Sequence, residues 1–202
     1  MNNSTTDAPK QRTGRPRFTG ITTYNDEQGR YEFRHPWGWE RSDLEDDRDG
    51  VIVRPELDDE ATYFAVWVTE LDVAVVAEDL ADLQAGLDDG LAELADLEVE
   101  KADDNNYNNI IKLERIYTFT EDGVTRKRRL WALYADRWQY LVVFQGSTVE
   151  EYHYWLPMGN YCFTAFQLPQ ALWFATDPSV SGGPTEAAAR AKAEGEEPVD
   201  GA

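Results

Sequence analysis

The stretch Gly29-Arg30-Tyr31-Glu32-Phe33-Arg34-His35-Pro36-Trp37-Gly38-Trp39-Glu40 sets the first pattern in this chain. Tyr31 and Phe33 alternate with Arg30, Glu32 and Arg34, so an extended backbone puts rings on one face and charge on the other. Pro36 has no N–H for a ladder and pushes His35 into extended geometry, which ends the strand. Gly38 then allows a bend between Trp37 and Trp39. Two indoles this close to a strand end seal one edge of a core. The functional alternative is that one stays exposed as a docking ring for a partner.

Downstream, Val51-Ile52-Val53 before Pro55 reads as a second strand, and residues 62–71 as a third. The third is apolar almost throughout, which places it centrally with both faces covered. Leu57-Asp58-Asp59-Glu60 between them is short enough for an antiparallel hairpin. Over residues 72–97, Val73, Val76, Leu80, Leu83, Leu87, Leu91 and Leu94 recur at three- and four-residue steps, an amphipathic helix. Its other face carries Glu78, Asp79, Asp82, Asp88, Asp89, Glu93 and Asp96 without a Lys or Arg. Such a helix depends on packing its leucines, because like charges four residues apart oppose it.

A short strand at 97–101 and a polar loop at 103–109 are expected next, then a meander of three strands at 110–120, 124–134 and 138–145. Glu121-Asp122-Gly123 and Ala135-Asp136-Arg137 are its turns. The middle strand holds the one dense basic run of the body. Arg126 and Arg128 share one face, and Lys127 and Arg129 the other. This reads as an exposed edge strand guarded by charge, or as a site for an anion or an acidic partner. Ser147 with Glu150 three residues on forms a capping box. It opens a last helix that runs to about residue 168, with a break between Leu156 and Tyr161 at Pro157 and Gly159.

The chain has 202 residues, 42% of them hydrophobic, and a net charge of −20. That surface repels nucleic acid and anionic membrane, and favours cations and basic partners. Thr13-Gly14-Arg15-Pro16-Arg17 resembles the core of an AT-hook, but one copy on so acidic a chain argues against DNA. Apolar runs are too short for a membrane span. Residues 1–20 are polar and basic, with no signal-peptide core, and are expected to form a disordered arm. Residues 177–202 are expected to form a disordered acidic tail. Cys162 stands alone, which fits a cytoplasmic protein.

His35, His153 and Cys162 have no zinc spacing. No nucleophile elbow, Walker loop or dinucleotide fingerprint is present, and no cofactor is expected. Glu45, Asp47, Asp49, Gly50, Ile52 and Glu56 fall at positions 1, 3, 5, 6, 8 and 12 of a calcium-loop pattern. Pro55 inside the loop and the strand at Val51–Val53 weigh against it.

The order of these elements resembles the Mog1/PsbP-like superfamily. The resemblance rests on residues 29–39, on Ser147-Thr148-Val149-Glu150-Glu151-Tyr152, and on Phe163-Thr164-Ala165-Phe166. It implies an α+β fold, an α/β/α sandwich around a central antiparallel sheet, over residues 21–176. It also implies a non-catalytic role, since relatives bind a small GTPase, assist photosystem assembly or are lipoproteins. The expected function is a non-enzymatic protein-binding or adaptor module using Trp37, Trp39, Arg126 and Arg128. The alternative is a calcium-dependent accessory factor using Glu45, Asp47, Asp49 and Glu56.

Overall fold

The alternating rings of the opening stretch become the inner half of a hairpin. In the computed structural model, which describes residues 12, 14–42, 44, 49–107 and 110–173, strand β1 (Ile21–Asn25) pairs antiparallel with β2 (Glu32–Pro36). Tyr31, Phe33 and His35 are buried, while Arg34 faces solvent. The expected arm is described only at Arg12 and from Gly14 onward, and the expected tail lies outside the described residues.

The main sheet comprises β3 (Glu40–Ser42), β4 (Asp49–Arg54), β5 (Tyr63–Glu70), β6 (Ala95–Asn106), β7 (Ile111–Glu121), β8 (Val124–Ala135) and β9 (Trp138–Gly146). Their spatial order is β3-β4-β5-β9-β8-β7-β6, antiparallel throughout. The apolar β5 lies inside the sheet, between β4 and β9. The meander forms as expected. Asp122 and Gly123 sit at φ 55° and 76°, the left-handed pair that a tight two-residue hairpin turn uses.

Two strand expectations are corrected. Residues 97–101 are part of a longer strand, because the ladder with β7 runs from Ala95 to Asn106 and absorbs two register shifts. Its polar residues fit there because β6 is a sheet edge, where side chains can stay in water. The basic run is not on an edge. Strand β8 is paired on both sides, by β9 and β7, so its charges are satisfied within the sheet layer rather than guarding a border.

The leucine-rich helix is shorter than its periodicity. Helix α1 covers Leu80–Ala92, after a single 3₁₀ turn at Ala77–Asp79. The preceding backbone is spent on the sheet: Leu71 N–H donates to Arg137 O and Val75 N–H to Asp136 O, each at 2.8 Å. Val76 N–H then donates to the Asp79 carboxylate at 2.9 Å, which sets the start. Leu80, Leu83 and Leu87 pack on Ile111, Leu113, Ala132 and Tyr134, and Leu91 packs with Tyr117, Phe119 and Leu130.

Helix α2 (Val149–Thr164) lies on the opposite face. Met158, Cys162 and Phe163 join Phe33, Phe64, Val66 and Phe144 in the largest core cluster. The layers are therefore helix, sheet, helix, with the β1–β2 hairpin beside α2. The cap is Thr148, whose hydroxyl accepts from Glu151 N–H at 3.1 Å, not Ser147. Ser147 is occupied elsewhere: its hydroxyl donates to Asp59 at 2.8 Å and its N–H to the Thr62 hydroxyl at 2.9 Å. The expected break is also absent, and α2 runs through Pro157. Proline removes one intrahelical bond, but the buried residues on either side hold the axis. Gly159 is there for closeness, since a Cβ would stand 2.7 Å from the Phe144 ring.

Gly146 meets a harder wall, with a Cβ 2.2 Å from the Tyr152 backbone nitrogen. Gly159→Ala is expected to cost about 1–3 kcal/mol by overpacking. Gly146→Ala is expected to cost more, because backbone yields less than a ring. Urea denaturation checks the order. A Gly146→Ala midpoint equal to wild type would contradict it.

Candidate functional site

A helix of α1's length covers only one side of a seven-stranded sheet, and one buried guanidinium fixes which side. Arg115 of β7 donates to Asp88 of α1 at 2.8 Å and also to Asp104 of β6. This draws the acidic helix over β6, β7 and β8. On the same face, β4 and β5 are left without a helix among the described residues, while Leu141 and Val143 of β9 join the clusters that hold the α1 leucines. Alternation puts Ile52, Tyr63, Trp67, Leu141 and Val143 on that face. With Arg128 and Leu130 of β8 they line a groove of about 900 Å³.

Arg128 lies in the floor of this groove. Its guanidinium donates to the Gln145 side-chain oxygen and, at 3.4 Å, to the Tyr117 hydroxyl. It also sits 4.7 Å from the Phe119 ring centre. Its hydrogen-bond partners are neutral, although the charge of Glu121 also bears on it, and it faces a groove whose lining mixes Tyr63, Trp67 and Trp138 with polar side chains. Arg54, donating to the Glu60 carbonyl at 3.3 Å, lines another side.

At the far end, Arg30 is tightly tied. It binds Asp26 at 2.7 Å and also Asp49, and it stands 5.5 Å from the Trp138 ring. Burial alone would raise the Asp26 pKa, but hydrogen bonds from the Arg30 side chain and backbone outweigh it and hold the carboxyl below its ordinary value. This cluster joins the hairpin to β4 and closes that end of the groove.

The sequence candidates do not form one surface. Trp37 is 71% exposed at the turn after β2, and Trp39 is 5% exposed. Trp39 packs edge-on against Trp155 of α2, with ring centres 6.0 Å apart. It is a core residue on the face opposite the groove. Arg126 pairs with Glu121 at 3.1 Å, and of the four only Arg128 lines the groove.

Of the calcium-loop set, Glu45 and Asp47 lie outside the described residues. Asp49 opens β4 on Arg30, and Glu56 binds Arg12 at 2.8 Å. Trp67, Leu141, Tyr63 and Arg54 were missed as site residues. Their signal was strand parity, which becomes readable only once the extent of α1 is known.

No family model matches the chain, and no curated protein matches it. Solved structures do. The cyanobacterial PsbP (CyanoP) of Synechocystis sp. PCC 6803 superposes with a TM-score of 0.53 and 16% identity, over 80% of this chain and 100% of that one. LpqN of Mycobacterium tuberculosis superposes with a TM-score of 0.52 and 9% identity, over 74% of this chain and 91% of that one. The fold is PsbP-like. At these identities the likeness is one of fold alone, and it agrees with the architecture that the sequence resemblance implies.

On the α2 side of this PsbP-like sandwich lies a second polar centre, around Glu114 of β7. Its carboxylate, buried beneath α2, meets Arg129 at 2.7 Å, Lys101 at 3.2 Å and Lys112 at 3.5 Å. Burial pushes its pKa up, but Arg129 and the two lysines outweigh that and hold it below the ordinary value. A depressed carboxylate adds stability above the unfolded pKa, and loses it as pH falls through the lower folded value. Glu114→Gln is expected to cost about 3 kcal/mol at neutral pH. The gap to wild type should narrow as pH drops below 4.5, the ordinary value. Denaturant titrations across that range check it, and a gap independent of pH would contradict it.

Because Asp49 and Glu56 are both held by arginine, micromolar calcium is expected to raise the melting midpoint no more than sodium chloride of equal ionic strength. A calcium-specific rise, lost in Asp49→Asn, would contradict this.

Proposed function

We propose that this chain is a non-catalytic protein-binding module, an adaptor or accessory protein, whose docking surface is the groove over β4, β5 and β9. The observation that carries this reading is Arg128, a guanidinium whose hydrogen-bond partners are neutral, beside Tyr63, Trp67 and Leu141 in the groove of a chain of net charge −20. A cation in such a place favours an anionic group that arrives together with apolar surface. The partner is therefore a protein segment that carries a carboxylate beside apolar side chains. Tyr63, Trp67 and Leu141 supply the apolar contact, and Arg128 supplies the charge-assisted hydrogen bond.

LpqN, of the same fold, is involved in cell envelope biogenesis, and an accessory role of that kind fits the reading by analogy. The groove itself supports it independently, by setting Tyr63, Trp67 and Leu141 beside Arg128 in an open space at the sheet surface. A cytoplasmic location belongs to the same proposal and rests on the lone, buried Cys162. Among the described residues, no helix is long and apolar enough to cross a membrane.

Anilinonaphthalene sulfonate, an aromatic anion, is the first probe of the groove. It is expected to bind the folded protein with one dominant site. Arg128→Gln is expected to weaken it about tenfold, the size of one charge-assisted hydrogen bond. Leu141→Asp is expected to abolish it, and Trp37→Ala to leave it unchanged. Affinity capture with the same baits then identifies the partner. A partner retained by Leu141→Asp and lost by Trp37→Ala would overturn the assignment of the groove.

A further inference from the structure

On the other side of the molecule, one arginine is held more fully than its position on an arm requires. The Arg12 guanidinium donates to Glu56 at 2.8 and 2.9 Å, and to Glu151 at 2.7 and 2.6 Å. It also stands 4.7 Å from the Tyr154 ring centre and 5.6 Å from that of Trp155. Two forked carboxylate contacts and two aromatic faces are the features by which proteins recognise arginine in particular, since lysine has neither the fork nor the plane.

The niche is built without the arm. Glu151 sits in the first turn of α2, its N–H bound to Thr148, where the helix N-terminus favours its negative charge. Trp155 is braced edge-on by Trp39 and by Tyr154. Glu56 comes from the β4–β5 loop, and Asp59 of that loop is bonded to Ser147 just before α2. The two walls are therefore fixed to each other. The occupant comes from a separate segment. Beyond Arg12, the arm touches α2 through Phe18, edge-on to Tyr161 at 5.7 Å. Arg15 and Arg17 between them are exposed.

We propose that the niche of Glu56, Glu151, Tyr154 and Trp155 is a recognition site for an arginine in an extended basic segment of a partner protein. Arg12 is its in-chain occupant, which the partner must displace. The site is separate from the groove, on the opposite side of the sheet, and takes a ligand of the opposite charge. Removing Arg12 leaves two carboxylates facing one space, and a partner's guanidinium relieves their repulsion. The intact chain thus binds such a partner more weakly than the chain without Arg12, by the fraction of time the niche is open.

The probe is a fluorescein-labelled peptide of residues 8–18, Ala-Pro-Lys-Gln-Arg-Thr-Gly-Arg-Pro-Arg-Phe, titrated by anisotropy into the full-length protein. Arg12→Ala is expected to bind it about tenfold more tightly than wild type. Arg12→Lys, which keeps the charge and loses the fork, covers the case in which Arg12→Ala does not fold, and is expected to lie between them. Replacing the peptide's Arg12 by Lys is expected to weaken binding about tenfold. Adding Glu151→Gln to Arg12→Ala is expected to abolish it. Equal binding by wild type and both arm variants, or equal binding of the arginine and lysine peptides, overturns the proposal. So does a wild-type dimer that Arg12→Ala dissolves, which would assign the niche to the arm of a second copy.

Discussion

Seven strands spaced about 4.8 Å apart span roughly 29 Å, and a helix about 10 Å across covers about a third of that. Every surface feature of this molecule follows from how each face meets that shortfall. On one face, α2 and the β1–β2 hairpin share the work, and their combined width buries the rings of Tyr31, Phe33, Phe64 and Phe144. On the other face, α1 works alone among the described residues. Arg115 decides where it sits, because a buried guanidinium needs carboxylates and both of its partners lie toward the β6 edge. The uncovered remainder is the groove. A chain with the same sheet and a second helix on that face would have no groove to offer.

The distribution of charge follows the same logic. An acidic chain cannot neutralise itself evenly, and three of its arginines are placed where each meets several acceptors. Arg12, Arg30 and Arg115 each hold two carboxylates. Each of these joins segments distant in sequence. Arg12 joins the arm to α2 and the β4–β5 loop, Arg30 joins the hairpin to β4, and Arg115 joins α1 to β6. Arg128 hydrogen-bonds instead to neutral side chains, Gln145 and Tyr117.

Much of the fold was legible from period alone. The alternation at Tyr31 and Phe33, the apolar run of β5 and the two turns of the meander all name their structures, because local sterics and turn residues decide them. Length was less legible where tertiary bonds compete with helix formation. Val73 and Val76 look helical by spacing, yet the backbone there is tied to the β8–β9 turn through the Leu71 and Val75 N–H groups. Ser147 looks like a cap, yet Asp59 claims it from another loop. Pro157 and Gly159 look like a break, yet Phe144 needs the glycine for contact. The site was least legible. Trp37 and Trp39 are alike in sequence and opposite in burial, and Arg128 differs from Arg126 only in which neighbours the sheet delivers to it.

Strand β6 also matters for what it prevents. A long border strand is an open template for another chain, and this one carries Glu98, Glu100, Asp103 and Asp104 along its length, with two register shifts that spoil its flatness. Two copies brought border to border would set carboxylates against carboxylates. That mutual repulsion, with the two irregularities, guards the border against edge-to-edge pairing. The border that could template a second copy is thereby kept to a single ladder, the one it forms with β7.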